Sequence, residues 1–152
     1  MPKINAAALP FVARGGYPPP YDKAVAGRSR KRLGDEVGLT QFGVNLTKLP
    51  PGVASSVRHW HENQDEFVFV IEGELTLLED DSETLLRPGD AAGFKAGVAN
   101  GHQLVNRTSS DTIYLEIGAR TPRERVHFSD VDLVATADEG VVHYSRRDGN
   151  PL

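Results

Sequence analysis

The chain has 152 residues, the size of one domain with a core that needs no disulfide staple. It contains no cysteine, which excludes disulfides, thiolate metal sites, iron–sulfur clusters and a cysteine nucleophile within it. Seventeen Lys and Arg against 21 Asp and Glu give a net charge of −4, a poor match to a nucleic-acid-binding surface, and leave five histidines as the natural nitrogen ligands or general bases.

Met1 to Asn5 show no basic stretch leading into a long apolar run. The longest apolar-rich run, Phe67 to Ile71, falls far short of the ~20 residues of a membrane span. These features point to a cytoplasmic chain with neither a membrane nor a nucleic-acid partner. Residues 1–38 read as an irregular arm. Pro18-Pro19-Pro20 predicts extended polyproline II. The basic run Arg28 to Arg32 reads as a solvated arm or a charge-protected edge strand rather than an anion site.

From residue 39 the pattern becomes that of strands. Phe42, Val44 and Leu46 alternate with Gly43, Asn45 and Thr47, and Pro50-Pro51-Gly52 stops the run. Further strands are expected at Val57 to His61, Glu66 to Glu72, Leu75 to Glu79, Thr84 to Arg87, Ala91 to Phe94, His102 to Asn106 and Thr112 to Gly118. Turn signals separate them, and Gly73 and Gly89 suit turns that need positive φ. Short strands at 8–12-residue spacing define an all-β sandwich or barrel. Residues 119–152 form a tail with two possible strands, Val131 to Thr136 and Val141 to Ser145. It is too short for a domain and is expected to pack on the barrel or on a partner subunit.

His59 and His61 lie two residues apart, so on a strand both imidazoles face the same way. Glu66 opens the next strand and can present its carboxylate beside them, and His102 opens a later one. Three imidazoles and one carboxylate suit zinc, iron, manganese or nickel and leave positions open for water or substrate. Trp60 and Arg58 point away from that face and suit packing and surface pairing. His127 and His143 fit no ligand spacing. Tyr114 and Glu116 share one face of the last barrel strand and, if that face is inward, are the candidate catalytic residues. Gln41, Asn45, Gln103 and Asn106 pose the same inward-or-outward question.

The stretch from Gly52 through His59, His61 and Glu66 to Gly73 resembles the first motif of the cupin superfamily, with its first glycine one residue farther away than usual. Pro88, Gly89, Asp90, Gly97, His102 and Asn106 resemble the second. There Lys95 stands where a proline is usual, and the loop before His102 is slightly longer. The flanks, including the segment Tyr144 to Gly149, resemble small single-domain bacterial cupins, many described as sugar-phosphate-isomerase-like.

The resemblance implies a double-stranded β-helix, or jelly-roll barrel, over 39–118, with arm 1–38 and tail 119–152. It implies one divalent metal ion on His59, His61, Glu66 and His102, and a structural Asn106. It also implies a homodimer paired through a barrel face, with the arms exchanged. A metal-dependent isomerase or epimerase of a sugar or sugar phosphate follows, the metal acting as Lewis acid toward a hydroxy-carbonyl substrate. An iron-dependent dioxygenase and a non-catalytic small-molecule binding or sensing protein are the alternatives. Lys95, near the expected barrel mouth, is a candidate to meet a phosphate, with a surface lysine as its plainer role.

Overall fold

The computed structural model describes residues 2–14 and 16–152; Met1 and Gly15, both in the expected arm, lie outside the described residues. Thirteen strands carry the fold among these residues: β1 (Val12–Ala13), β2 (Ser29–Arg32), β3 (Phe42–Leu49), β4 (His59–His61), β5 (Glu66–Glu72), β6 (Leu75–Leu78), β7 (Glu83–Leu86), β8 (Ala91–Phe94), β9 (Gln103–Val105), β10 (Thr112–Ala119), β11 (Arg123–Phe128), β12 (Val134–Asp138) and β13 (Val141–Ser145). Two short 3-10 turns, Tyr21–Val25 and Asp35–Val37, are the helical segments. No helix is long and apolar enough to cross a membrane.

One sheet runs β1-β2-β3-β10-β5-β8, every neighbouring pair antiparallel. The opposing layer is assembled from β13-β12-β11-β4 and from β7-β6-β9. These two ladders meet at the backbone pair His59 opposite His102, with Ala54 opposite Val105 just before it in the chain. The result is a two-layered all-β barrel of the jelly-roll kind.

Alternation explains which residues enter it. On β5, Val68 and Val70 are buried while Phe67, Phe69 and Ile71 remain exposed. Leu49, Val68, Val70, Leu75, Leu77, Leu86, Leu104 and Tyr114 form the main core. Each fully buried Leu or Val contributes about 1.5–3 kcal/mol from its burial. A smaller cluster of Val57, Phe128, Leu133 and Ala135 ties the C-terminal strands to the barrel, with Tyr17, Tyr21 and Tyr144 packed against it. Gly73 turns β5 into β6 at φ 75°, and a Cβ there would lie 2.7 Å from the Thr112 side chain. That turn therefore needs glycine for both its backbone and its space.

Three details differ from the expectations. Pro18–Pro20 is not polyproline II: the Pro19–Pro20 bond is cis and the segment turns into Tyr21–Val25. The Arg28 to Arg32 run is not a solvated edge, because β2 lies between β1 and β3 and two of its arginines turn inward. The strand expected at Val131 to Thr136 is displaced to Val134–Asp138. The bend before it is fixed by Arg58 on Asp130 and by the Asp132 carboxylate accepting from the Arg147 N–H. Residues outside 39–118 also join both sheets: β1 and β2 extend one, and β11 to β13 extend the other through β4.

Candidate metal centre

Each member of the histidine–glutamate group is delivered by a strand end. His59 and His61 open and close β4, Glu66 opens β5, and His102 directly precedes β9. His59 and His102 exchange both backbone hydrogen bonds, His59 N to His102 O at 3.1 Å and His102 N to His59 O at 2.8 Å. Their side chains therefore leave the sheet side by side, with ring centres 4.7 Å apart. Phe94 stacks on the outer side of His102 at 3.6 Å between ring centres and fixes its plane.

The donor atoms converge. Glu66 Oε2 lies 2.7 Å from His102 Nε2, 3.4 Å from His61 Nε2 and 3.6 Å from His59 Nε2. His59 Nε2 and His61 Nε2 are 3.1 Å apart. The ligand atoms of His59, His61 and Glu66 all lie within 4.8 Å of one another. Nitrogen ligands at about 2.0–2.1 Å from a metal place adjacent donors about 3 Å apart, so the spacing fits one ion. The tautomer chemistry fits too. His59 Nδ1 donates to the Val57 carbonyl at 2.8 Å, which leaves a lone pair on its Nε2, 3.1 Å from His61 Nε2. Two facing imidazole nitrogens beside a carboxylate need either a proton or a cation between them.

Electrostatics reflect this crowding. Burial works to raise the Glu66 pKa, but the His102 hydrogen bond and the close His59 and His61 imidazoles outweigh it and hold the carboxyl well below its usual range. Burial works to lower His61, but the Glu66 hydrogen bond and the Glu66 and Glu124 charges outweigh it and raise it above 6.5. His102 is lowered, chiefly by burial. Behind His61, the buried Glu124 accepts from the backbone N–H groups of Glu62, Asn63 and Arg125. Its Oε2 stands 3.9 Å from His61 Nδ1.

The cluster opens into a cavity of about 320 Å³ between the layers. Tyr114 and Glu116 both face it. The Glu116 carboxylate is paired with the Arg30 guanidinium, accepts from Asn45 Nδ2 at 3.0 Å and accepts from the Tyr114 hydroxyl at 3.2 Å. Burial and the Glu116 charge push the Tyr114 phenol well above its ordinary value, so the hydroxyl keeps its proton and donates its hydrogen bond to Glu116.

Arg28 and Arg30 line the same cavity, and the basic-run reading missed both. The available signal was register. Arg30 pairs with the inward, fully buried Thr47 on β3, and Arg28, two residues earlier and just before β2, turns to the same side.

The remaining residues separate cleanly. Lys95 is exposed and lies outside the main cavity, in a neighbouring groove that Trp60, His61 and His102 also line. Trp60 stacks on His127 at 4.2 Å, and His127 Nε2 reaches Glu62 at 2.6 Å. Arg58 forks onto Asp130 and reaches Asp80. Asn106 is fully buried; it donates to the Leu49 and Ser110 carbonyls and accepts from Thr108, a structural role.

Residues 45–118 match the family model for the cupin domain. No curated protein matches the chain. Among solved structures, a sugar phosphate isomerase of the cupin superfamily from Silicibacter pomeroyi is similar over 99% of this chain and 96% of its own, at 46% identity and a TM-score of 0.95. A protein from Acidithiobacillus ferrooxidans, provisionally described as a sugar phosphate isomerase, is 28% identical with a TM-score of 0.76, covering 82% of this chain and 80% of its own. A Cupin 2 conserved barrel domain protein from Salinispora arenicola shares the fold at 18% identity and a TM-score of 0.55, over 78% of this chain and 87% of its own. The barrel and its histidine–glutamate cluster thus define a small cupin with a possible metal site. The chain belongs to the cupin superfamily.

Proposed function

We propose that this cupin holds one divalent metal ion on His59, His61, Glu66 and His102 and isomerises or epimerises a small sugar or sugar phosphate. The observation that carries the reading is the convergence of three Nε2 atoms on Glu66 Oε2 at 2.7–3.6 Å, facing a cavity of substrate size. The metal, when bound, supplies Lewis-acid polarisation of a substrate carbonyl. The protein supplies the rest. Tyr114, held protonated, donates a hydrogen bond through its hydroxyl. Glu116 is the carboxylate of the cavity lining that stands outside the ligand cluster, and so the group able to accept a proton from substrate carbon or oxygen. Core residues and Phe94 exclude water from one side of the cluster. The resemblance to the Silicibacter pomeroyi protein supports the substrate class.

The test has two parts. Elemental analysis of the purified protein should find about one divalent ion per chain, lost in His59→Ala and in His61→Ala. Metal-loaded protein in deuterated water should exchange the hydrogen on the carbon next to the carbonyl of an aldose or ketose phosphate. Unchanged metal content in both variants would sink the metal assignment.

A second reading, capture without turnover, is favoured by one feature. Arg30, Asn45 and Tyr114 together engage both oxygens of Glu116, which weakens it as a base. Metal binding without any deuterium exchange would select that reading.

The proposed assembly is a homodimer formed through the outer face of the six-stranded sheet. There Phe67, Phe69 and Ile71 stand exposed in one row, and Leu115 on β10 lies opposite Phe69.

A further inference from the structure

We infer that Arg28 is an anion-binding residue of the cavity, and that the molecule bound there carries a phosphate or carboxylate group. The inference deepens the reading above by naming a charged group on the substrate. Arg28 is 7% exposed, yet no carboxylate pairs with it among the described residues. Its guanidinium donates to the Ser55 carbonyl and packs by Gly16, 3.7 Å from where a Cβ there would sit. Arg28 also lines the cavity that the ligand cluster shares.

The other charges of that lining are already matched. Arg30 is paired with Glu116, and Arg120 with Asp35 at 2.7 Å. Glu66 sits among the three imidazoles. Burial depresses the Arg28 guanidinium and Arg30 adds to this as a like charge, while the Glu116 carboxylate, already paired with Arg30, only partly opposes them. A buried cation without a counter-charge is costly, and folds retain one where a ligand completes the pair. A planar guanidinium fork matches the paired oxygens of phosphate or carboxylate. Neutral sugars offer no such partner. Lys95 is exposed and lines an adjoining groove that His61 and His102 also line, not this cavity.

The test uses metal-free protein, so that a bound ion cannot itself hold the anion. Inorganic phosphate and acetate are titrated by calorimetry into wild type, Arg28→Gln, Arg28→Lys and the surface control Arg123→Gln, with metal content measured separately. The expected result is at least tenfold weaker anion binding in Arg28→Gln, an intermediate loss in Arg28→Lys, none in Arg123→Gln, and metal loading retained in all four. Tighter phosphate than acetate binding marks a phosphate-bearing substrate, and the reverse a carboxylate-bearing one. Equal anion affinity in wild type and Arg28→Gln overturns the inference. If Arg28→Gln does not fold, melting of wild type in phosphate against chloride at matched ionic strength decides: stabilisation by phosphate that is reduced in Arg28→Lys supports it, and no difference refutes it. Arg28-dependent anion binding in a protein that takes up no metal would leave this inference standing while removing the metal reading.

Discussion

His59 and His102 face each other as a backbone pair that joins the β4 ladder to the β9 ladder. Two candidate ligands distant in sequence are therefore fixed by the same two hydrogen bonds that close one layer of the barrel. The site's rigidity is inherited from the sheet and not from a loop. Replacing His102 by alanine leaves the backbone pair in place and removes one nitrogen donor. The expected outcome is a folded protein with an unchanged far-ultraviolet spectrum and metal affinity reduced on the order of 100-fold, since even outer partners of ligands cost 10–100-fold. Competition with a chromogenic chelator measures it. Retained wild-type affinity would remove His102 from the ligand set.

The pH dependence of metal uptake follows from His61. Its folded pKa is raised above 6.5 because Glu66, with help from Glu124, outweighs the burial that would lower it. In the metal-free protein the protonated imidazole thus stabilises the fold fully below the unfolded value near 6.5, and that contribution is lost as pH rises through the folded value. Glu66 has the opposite sign: its contribution is present above its ordinary 4.5 and is lost as pH falls through its depressed folded value. A metal ion competes with the His61 proton, so affinity should rise with pH through the folded His61 value and level off above it. Zinc titration calorimetry from about pH 5.5 to about pH 8.5, in buffers of different ionisation enthalpy, should show about one proton released per ion at the acidic end and little at the alkaline end. A flat proton yield would contradict this.

Glu116 and Arg30 form a partly buried pair, with side chains 21% and 23% exposed. Removing one partner strands the other's charge. Glu116→Gln should lower stability by about 1–3 kcal/mol, less than the loss for a fully buried pair because solvent reaches both groups. Deuterium exchange at the substrate should fall by more than that stability change explains, because the cavity then lacks its proton acceptor. Urea unfolding of Glu116→Gln, Arg30→Met and the double variant isolates the pair energy. Substrate exchange at the wild-type rate in Glu116→Gln would dismiss Glu116 as the base.

Period-two alternation made the barrel legible, and β3, β5 and β10 fall where it places them. The histidine–glutamate group was legible for the same reason, since strand parity alone puts His59 and His61 on one face. The strand Arg123–Phe128 was not. Its inward positions include Glu124, a buried carboxylate satisfied by backbone N–H groups, so charge masked the alternation. Arg28 and Arg30 were obscured similarly: a run of basic residues reads as solvated until a neighbouring strand sets its register. The joining of β4 to β11 depends on contacts distant along the chain, which local pattern does not carry.

The exposed row on β5 predicts the assembly. Phe67, Phe69 and Ile71 are 42%, 39% and 42% exposed although β5 is an internal strand of the six-stranded sheet, flanked by β10 and β8. Edge position does not account for this, because both neighbouring strands are paired. A paired sheet face that offers apolar side chains to water in a row is suited to burial against an identical face. Light scattering should report a dimer for wild type. Phe67→Glu with Phe69→Glu puts charges at the middle of that face and should give a folded monomer, because both side chains point away from buried Val68 and Val70. The cluster lies on the opposite, inward side of the same strand at Glu66, so metal content should be unchanged in the monomer. A wild-type monomer, or a double variant that still dimerises, would rule this face out as the interface.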